Sequence, residues 1–592
     1  MSLQLPVSGI TTWAEPGKAV WLKENRTGKT ALTGRFDPGL PGTENRMRPV
    51  KEGFEEAGVQ ILKRCMEAEE EWAVIDEIGY LESGCPAYCS SVLALMEKKR
   101  LAADAYLNAV RPLAAELIEY LTGSEEYEIG CETARGCGFR DATILFVNSA
   151  GKKYGISKAG TSISDDRLCS SRGFVIRVYD GALSAEYSGC ELEKSIFPDI
   201  AGTLLRIVSE TKRRAGKRIL PERLLEAEEQ PETEYFTEYE IHPEELGDAA
   251  IVSHLDKIRN KALACDERVT DCSVSCAYRR HAELFLRGSG GKITIQKQQN
   301  LLWMTSAMTV LAAKGEELKD YYRGYSNLGG AEVFDRMESD VAALVGGAVA
   351  LLDSEPIAPG EYECICAPDV TGMIAHEAFG HGVEMDMFVK KRALAEQYIG
   401  KSVASPLVTM HDGASAAQQT ASFLFDDEGT AAHDTVIIEK GILKRGISDV
   451  RSAARLGTEP TGNGRRESYR RKAYTRMTNT FFEPGTDRLE DMIASVSYGF
   501  LLENARSGME DPKNWGIQCM VNVAREIRNG ALTGKIFSPI VLTGYVPTLL
   551  KSISMISDRA ELSGSGYCGK GYKEWVKVSD GGPYIKARIR LG

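Results

Sequence analysis

Two histidines and one glutamate lie close together as His376, Glu377 and His381 in the segment HEAFGH. Neutral imidazoles are the commonest metal ligands, and a carboxylate directly beside one of them can take the proton from a metal-bound water. This division of roles is typical of a metal-dependent hydrolase. The pattern therefore predicts a metal site with His376 and His381 as ligands and Glu377 as the catalytic base.

The spacing of these histidines does not fit a regular α-helix. His381 follows His376 by five positions, which places the two side chains roughly 140° apart around an ideal helix, whereas the usual zincin spacing leaves about 40°. Either the helix carries a π-type widening, or it ends near Gly380, whose missing Cβ lets the backbone turn. In both cases a third protein ligand must come from another part of the chain.

The sequence on both sides of the motif predicts mainly β-strands. An apolar run over residues 361–370 precedes the motif and predicts a strand that leads into the metal-binding helix. Further strands are expected at residues 407–411, 422–425, 436–439 and 443–447. We therefore expect a β-rich (α+β) metal-binding domain over residues 354–592 that carries the chemistry.

An α/β domain is expected before it, over residues 91–353. Helical periodicity marks residues 92–121, 196–214, 249–263 and 335–353 of this domain, and also residues 52–72 before it. Strand patterns mark residues 142–147, 174–179, 183–187 and 269–308, with turns at residues 180–181 and 288–291. A glutamate-rich segment at residues 221–246 is interpreted as a solvated connection.

Residues 1–90 are expected to form an N-terminal extension. The first 50 residues show no sustained periodicity and are punctuated by prolines and glycines, which predict turns rather than an element of a core.

Length and composition indicate a globular protein of several domains, with 592 residues and a net charge of −12. The negative charge argues against general nucleic-acid binding, although a basic cluster over residues 465–476 would suit phosphates or a solvated, salt-bridged face. No apolar run reaches about 18 residues, so no membrane span is expected. The amino terminus lacks a secretory pattern, and we expect a cytoplasmic protein.

Five segments in order resemble the TldD subunit of the TldD/TldE (PmbA) metalloproteases. They are HEAFGH at residues 376–381, DDEGT at 426–430, PTGNGRRES at 460–468, RMTNT at 476–480 and CGK at 568–570. The resemblance covers residues 355–592 and extends more loosely back to about residue 130. It implies an α/β domain followed by a β-rich domain. It also implies a partner subunit of the TldE type, or a second copy of the chain, and cleavage of unfolded or small peptides.

The same resemblance implies that Zn²⁺ is held by His376, His381 and Cys568, with Glu377 as the catalytic carboxylate. Cys568 then supplies the third ligand that the motif lacks. Glu384, three positions after His381, is a candidate for orienting one imidazole. The resulting hypothesis is a zinc-dependent peptidase in which Glu377 activates a zinc-bound water. The alternatives are a non-catalytic peptide-binding scaffold or regulatory subunit and, less favoured, a nucleic-acid-associated protein built on the basic cluster.

Overall fold

The computed structural model describes the chain except residues 1–7, 16–18, 25–28, 37–46, 51–52, 68–72, 76–101, 130–131, 166–170, 181–182, 216–236 and 572. Residues 1–110 and 111–592 form two compact units. The domain boundaries at residues 90 and 353 remain predictions, and parts of the segment 221–246 lie outside the described residues. None of the helices described for this chain is long and apolar enough to cross a membrane.

The first unit contains a five-stranded sheet of order β4-β3-β2-β1-β5. Its elements are β1 (Ser8–Glu15), β2 (Ala19–Glu24), β3 (Thr30–Phe36), β4 (Met47–Pro49), a π-turn (Gly53–Gly58), α1 (Val59–Glu67) and β5 (Ala73–Ile75). The expectation of an irregular first 50 residues is therefore wrong. Its strands pair across different segments of the chain, as β1 does with β2, and periodicity along one segment does not reveal such pairing.

The first part of the second unit combines helices with a large antiparallel sheet of order β11-β10-β8-β12-β13-β14, with β9 paired to β8. β6 and β7 form a separate two-stranded sheet. The strands are β6 (Glu126–Ile129), β7 (Glu132–Arg135), β8 (Asp141–Ser157), β9 (Gly160–Asp165), β10 (Ser171–Asp180), β11 (Leu183–Gly189), β12 (Val269–Ser289), β13 (Lys292–Lys314) and β14 (Glu317–Asn327). Helix α2 (Ala102–Thr122) spans the boundary between the two units. The helices that follow are α3 (Phe197–Ala215), α4 (Pro243–Leu246), α5 (Asp248–Cys265) and α6 (Val333–Leu351). The predicted hairpin is confirmed, since Asp180 pairs with Leu183. Apolar residues of α5 and α6 are buried with those of β12 and β13.

The second part of this unit is rich in strands. They are β15 (Gly360–Cys366), β16 (Met410–Asp412), β17 (Thr435–Glu439), β18 (Ile442–Leu443), β19 (Gly464–Arg465), β20 (Tyr474–Thr475), β21 (Asn479–Phe482), β22 (Tyr498–Asp511), β23 (Gly516–Arg528), β24 (Ala531–Phe537), β25 (Ile540–Tyr545), β26 (Met555–Ser563), β27 (Tyr567–Cys568), β28 (Val576–Lys577) and β29 (Ser579–Leu591). The helices are α7 (Pro368–Ala375), α8 (Met385–Val389), α9 (Val450–Leu456), α10 (Leu489–Ala494) and α11 (Val546–Lys551), with shorter turns at His376–Gly380, His381–Val383 and Leu394–Tyr398.

One large sheet organises these strands in the order β15-β22-β23-β25-β29-β21-β16-β17-β18, with β24 on β23 and β26 on β29. Because β15 also pairs with β29, the first five strands of this order close into a barrel. The predicted combination of a mixed helix and strand region followed by a β-rich region is confirmed.

Two of the strands predicted for this region are wrong in whole or in part. Of residues 443–447, only Leu443 belongs to a strand, and Ile447 makes an isolated bridge to Glu384. Residues 422–425 form a loop in which only Phe425 makes a bridge, to Ala431. The Asp426 carboxylate accepts the backbone N–H groups of Glu428 and Thr430, which closes a turn instead of extending a strand.

Candidate metal centre

His376 is placed by the buried unit of β15 and α7. β15 runs parallel to β22 and antiparallel to β29. Asp369 fastens the start of α7 to β22, because its carboxylate accepts the backbone N–H of Ala505 at 2.9 Å. Gly372 lies against the backbone of β29, where a Cβ would be 2.5 Å from the nitrogen of Gly581. α7 therefore has little freedom to move, and His376 follows its last residue.

The helix widens at the two histidines. The backbone N–H of His381 bonds to the carbonyl of His376, the five-residue step of a π-turn, and a tighter turn over His381–Val383 follows. The imidazole rings consequently lie 5.1 Å apart at 86° to each other. Both predicted alternatives, a π-type widening and a helix end near Gly380, thus occur together.

Gly380 serves a different purpose from the one predicted. Its φ of −65° is ordinary right-handed geometry, so no special turn is needed there. A Cβ at this position would instead overlap Sδ of Met477. The absence of a side chain allows close packing of the π-turn against Met477.

Cys568 reaches the histidines from a short hairpin. β27 and β28 pair through Tyr567 opposite Lys577 and Cys568 opposite Val576. Sγ of Cys568 lies 3.1 Å from Nε2 of His381. The ligand atoms of His376, His381 and Cys568 all lie within 4.8 Å of one another. The structure thus brings together the three side chains that the sequence analysis named as metal ligands.

The charges of this group are linked. Burial opposes ionisation of the Cys568 thiol, but the neighbouring histidines hold its pKa well below the usual range. Burial also opposes protonation of His376, but Cys568 outweighs it and raises the pKa of His376 to about 9. The pKa of His381 is likewise raised well above its ordinary value, since Cys568 and Glu384 outweigh burial. The two imidazoles thus favour the thiolate form of Cys568, and the thiolate in turn favours protonation of both rings.

Glu384 contacts His381 as the sequence analysis expected. Its Oε2 lies 3.4 Å from Nδ1 of His381, on the ring edge opposite Cys568. The same oxygen accepts a hydrogen bond from Nζ of Lys570 at 3.0 Å. Although Glu384 is buried, Lys570, His381 and Arg476 lower its pKa strongly, so it remains a carboxylate. It fixes which ring nitrogen of His381 faces Cys568.

Asp580 has the corresponding position beside His376, with its Oδ2 3.7 Å from Nδ1 of the ring. Nδ1 is buried and has no hydrogen-bond partner among the described residues. Burial raises the pKa of Asp580 to about 6, although His376 opposes the shift. Asp580 was not among the predicted site residues, because nothing in the local sequence links the start of β29 to the histidine motif.

Glu377 lies next to a second carboxyl group. Carboxyl oxygens of Glu377 and Glu510 and a ring nitrogen of His381 lie within 4.8 Å of one another. Glu510 is on β22 and forms a hydrogen bond with Glu377. Burial and this hydrogen bond raise the pKa of Glu510 to about 8, although His381 opposes the shift. Glu510 was also missed, because no motif surrounds it.

The residues present fit a metal ion, and zinc in particular. Two imidazoles and one thiolate are donors that zinc accepts, and three protein ligands are the usual number where one position stays open for chemistry. The lowered pKa of Cys568 supplies the thiolate form that a metal requires. The buried Nδ1 of His376 and the flanking carboxylates Glu384 and Asp580 match the supporting contacts of ligand histidines.

Known proteins with similar sequences are described as metallopeptidases or metalloproteases. Residues 359–589 match the family model described as the PmbA/TldA metallopeptidase C-terminal domain. A metalloprotease of Methanocaldococcus jannaschii is 30% identical over 321 residues, which cover 54% of this chain and 69% of that protein. A zinc metalloprotease TldD homolog of Saccharolobus solfataricus is 34% identical over 235 residues, covering 39% and 52% of the two chains.

The fold has a solved counterpart in TldE from Thermococcus kodakarensis. The two structures have a TM-score of 0.57 at 19% sequence identity, and the match covers 77% of this chain and 97% of TldE. At this level of identity the likeness concerns the fold alone. Together with the family model and the metalloprotease relatives, these findings show that the chain belongs to the PmbA/TldD metallopeptidase family, in which it resembles the TldD subunit.

Proposed function

We propose that this chain is a zinc-dependent peptidase that hydrolyses small or unfolded peptides. His376, His381 and Cys568 hold the metal, and Glu377 accepts the proton of the water that attacks the peptide bond. One observation carries the proposal: Sγ of Cys568 lies 3.1 Å from Nε2 of His381, beside the carboxylate that directly follows His376. A protein that only binds peptides has no need of two imidazoles, a thiolate and a carboxylate at one point.

Each side chain has a separate task in this reaction. Bound zinc supplies Lewis-acid polarisation of the scissile carbonyl. Glu377 takes the proton from the attacking water and returns it to the leaving amine. The carboxyl group of Glu510 lies beside that of Glu377. Glu384 holds the ring of His381, and Asp580 faces the ring of His376.

The comparisons support the choice of substrate and partner. Relatives that carry the name metalloprotease support a peptide substrate. The likeness in fold to TldE supports pairing with a second subunit of this fold, which is either a TldE-type chain or another copy of this one.

Metal content and peptide cleavage test the proposal together. We expect about one zinc per chain by elemental analysis, and hydrolysis of an unstructured fluorogenic peptide that stops when zinc is chelated. The double variant His376→Ala/His381→Ala should lose both. His254→Ala is a suitable control, because His254 is exposed and stacks on Phe334 of α6.

Two results would overturn the proposal in different ways. Full zinc content in the double variant would exclude the histidines as ligands. A wild-type protein that holds zinc and binds unfolded peptides but cleaves none, alone or with a TldE-type subunit, would establish the scaffold alternative.

A further inference from the structure

The candidate ligands come from two separate parts of the chain. His381 belongs to the turn after α7, and Cys568 belongs to the β27–β28 hairpin, 187 positions later. A contact between two side chains does not by itself keep two segments in register. Some other group must set the distance between the histidine turn and the hairpin.

Arg476 lies between the two parts. Its side chain is fully buried, directly after β20. Nη2 donates a hydrogen bond to the carbonyl oxygen of Cys568 at 2.9 Å, and Nη1 donates to the carbonyl oxygen of Glu574. One guanidinium therefore holds the loop between β27 and β28 at both of its ends.

The other edge of the guanidinium faces the histidine turn. Nε of Arg476 lies 3.4 Å from Oε1 of Glu384, an ion pair without hydrogen-bond alignment. The second oxygen of Glu384 contacts Nδ1 of His381. Arg476 thus contacts His381 indirectly, through Glu384. It contacts Cys568 directly, at the backbone carbonyl of Cys568.

The backbone of Arg476 is itself fixed. Its N–H donates to the carbonyl oxygen of Asn463 at 2.9 Å, and its own carbonyl accepts a hydrogen bond from Nδ2 of Asn463 at 3.0 Å. The next residue, Met477, packs against Gly380 of the π-turn. The segment around Arg476 therefore touches both parts of the site and has little freedom to shift.

Only an arginine satisfies these contacts. The planar guanidinium carries donors on three sides in fixed directions, whereas the ammonium of lysine is a compact point charge. Burying a charge is costly unless it is paired and hydrogen bonded. The carbonyl groups of Cys568 and Glu574 and the carboxylate of Glu384 meet this requirement for Arg476. These same three groups therefore fix the position of the guanidinium.

We propose that Arg476 is a positioning residue that holds Cys568 against His381 and so sets the geometry of the metal ligands. This inference rests on the proposed metal site. It also gives a role to the RMTNT segment that the sequence analysis recognised without one.

Zinc affinity of the full chain tests the inference, measured by competition with a chromophoric chelator. We expect Arg476→Lys to weaken zinc binding ~10–100-fold, the effect usual for groups that support metal ligands. Arg471→Lys, an exposed position in the same basic cluster, should leave the affinity unchanged. Equal affinities for wild type and Arg476→Lys would overturn the inference.

A double-mutant cycle separates positioning from general stability. If Arg476 acts through Cys568, the effect of Arg476→Lys on zinc affinity should largely disappear in a Cys568→Ser background. A merely structural role would weaken zinc binding by the same factor in both backgrounds and would overturn the inference. Circular dichroism of the metal-free variants checks that each is folded.

Cobalt(II) gives a second readout on the folded protein. The wild type loaded with Co²⁺ should show a thiolate-to-cobalt charge-transfer band, and Arg476→Lys should reduce or shift it. An unchanged band would count against the inference. If the wild type binds neither Zn²⁺ nor Co²⁺, it is the proposed metal site that fails, and the two failures are therefore distinguishable.

Discussion

Gly508 lies directly against the side chain of Glu377, so that a Cβ at position 508 would overlap Cγ of Glu377. The glycine cannot move away, because it pairs with Cys519 inside the β22–β23 ladder. We expect Gly508→Ala to displace Glu377 and to lower kcat for peptide cleavage by ~10²-fold, the effect of a misplacement of about 1 Å. Zinc content should stay at the wild-type value.

Gly516→Ala is the matched control for this prediction. Gly516 lies on β23 of the same sheet, and a Cβ there would be 4.0 Å from Asp511, an ordinary contact distance. Unchanged cleavage in Gly508→Ala would show that Glu377 tolerates displacement, contrary to its proposed task.

Glu377→Gln should keep the metal and lose the reaction. The amide preserves the shape of the side chain but cannot accept a proton, and loss of a general base costs ~10²–10⁴-fold in rate. Elemental analysis and steady-state cleavage measure the two effects on one sample. Glu316→Gln, at an exposed turn before β14, should behave as wild type. Near-normal turnover of Glu377→Gln would remove this residue from the mechanism.

Alkylation of Cys568 should depend on the metal. The thiolate is shielded while it binds zinc, so iodoacetamide should modify Cys568 slowly in the zinc-loaded protein and faster after chelation. Peptide mapping by mass spectrometry supplies internal controls. Cys190 is exposed and should react in both states, whereas Cys519 is buried and burial raises its pKa, so it should react in neither. An alkylation rate of Cys568 that does not change on chelation would exclude this residue as a metal ligand.

Zinc binding should strengthen as the pH rises towards 9. Burial disfavours the charged ring of His376, but Cys568 outweighs it and raises the pKa to about 9. A ligand imidazole must be neutral, so below this pH zinc has to displace a proton, and the apparent association constant falls about tenfold per pH unit for each proton displaced. The affinity should not level off below about pH 9, because the pKa of His381 is also raised well above its ordinary value. Chelator competition between about pH 6 and pH 9 measures this dependence.

Cys568→Ser provides the control for the pH dependence. Without the thiolate, the pKa of His376 should fall towards its ordinary value of ~6.5, and the affinity should level off at correspondingly lower pH. A wild-type affinity that is already constant from about pH 7 upwards would contradict the linkage between Cys568 and the histidines.

The sequence predicted those features of the site that depend on residues close together along the chain. The spacing of His376 and His381 predicted a distorted helix, and the contact of Glu384 with His381 lies within one turn. Glu510 and Asp580 were not predictable in this way. They reach the site because β22 and β29 both pair with β15, the strand before the histidines, and such pairing leaves no local signal.

The basic cluster at residues 465–476 shows the same limit. One sequence pattern predicted one common environment for it, either a phosphate-binding patch or a solvated, salt-bridged face. Arg470 and Arg471 are exposed, whereas Arg476 is fully buried between two parts of the site. A charge pattern does not reveal which of its members will find buried carbonyl groups as partners.

The position of the β27–β28 hairpin has a consequence for the protein's own synthesis. A ribosome makes His376 and His381 long before it makes Cys568, and an emerging chain is itself an unfolded peptide. The set of three candidate ligands is incomplete until the hairpin has left the ribosome. On the proposed function, a nascent chain has the base Glu377 without a complete metal site, and we expect it to be inactive until the hairpin has been made.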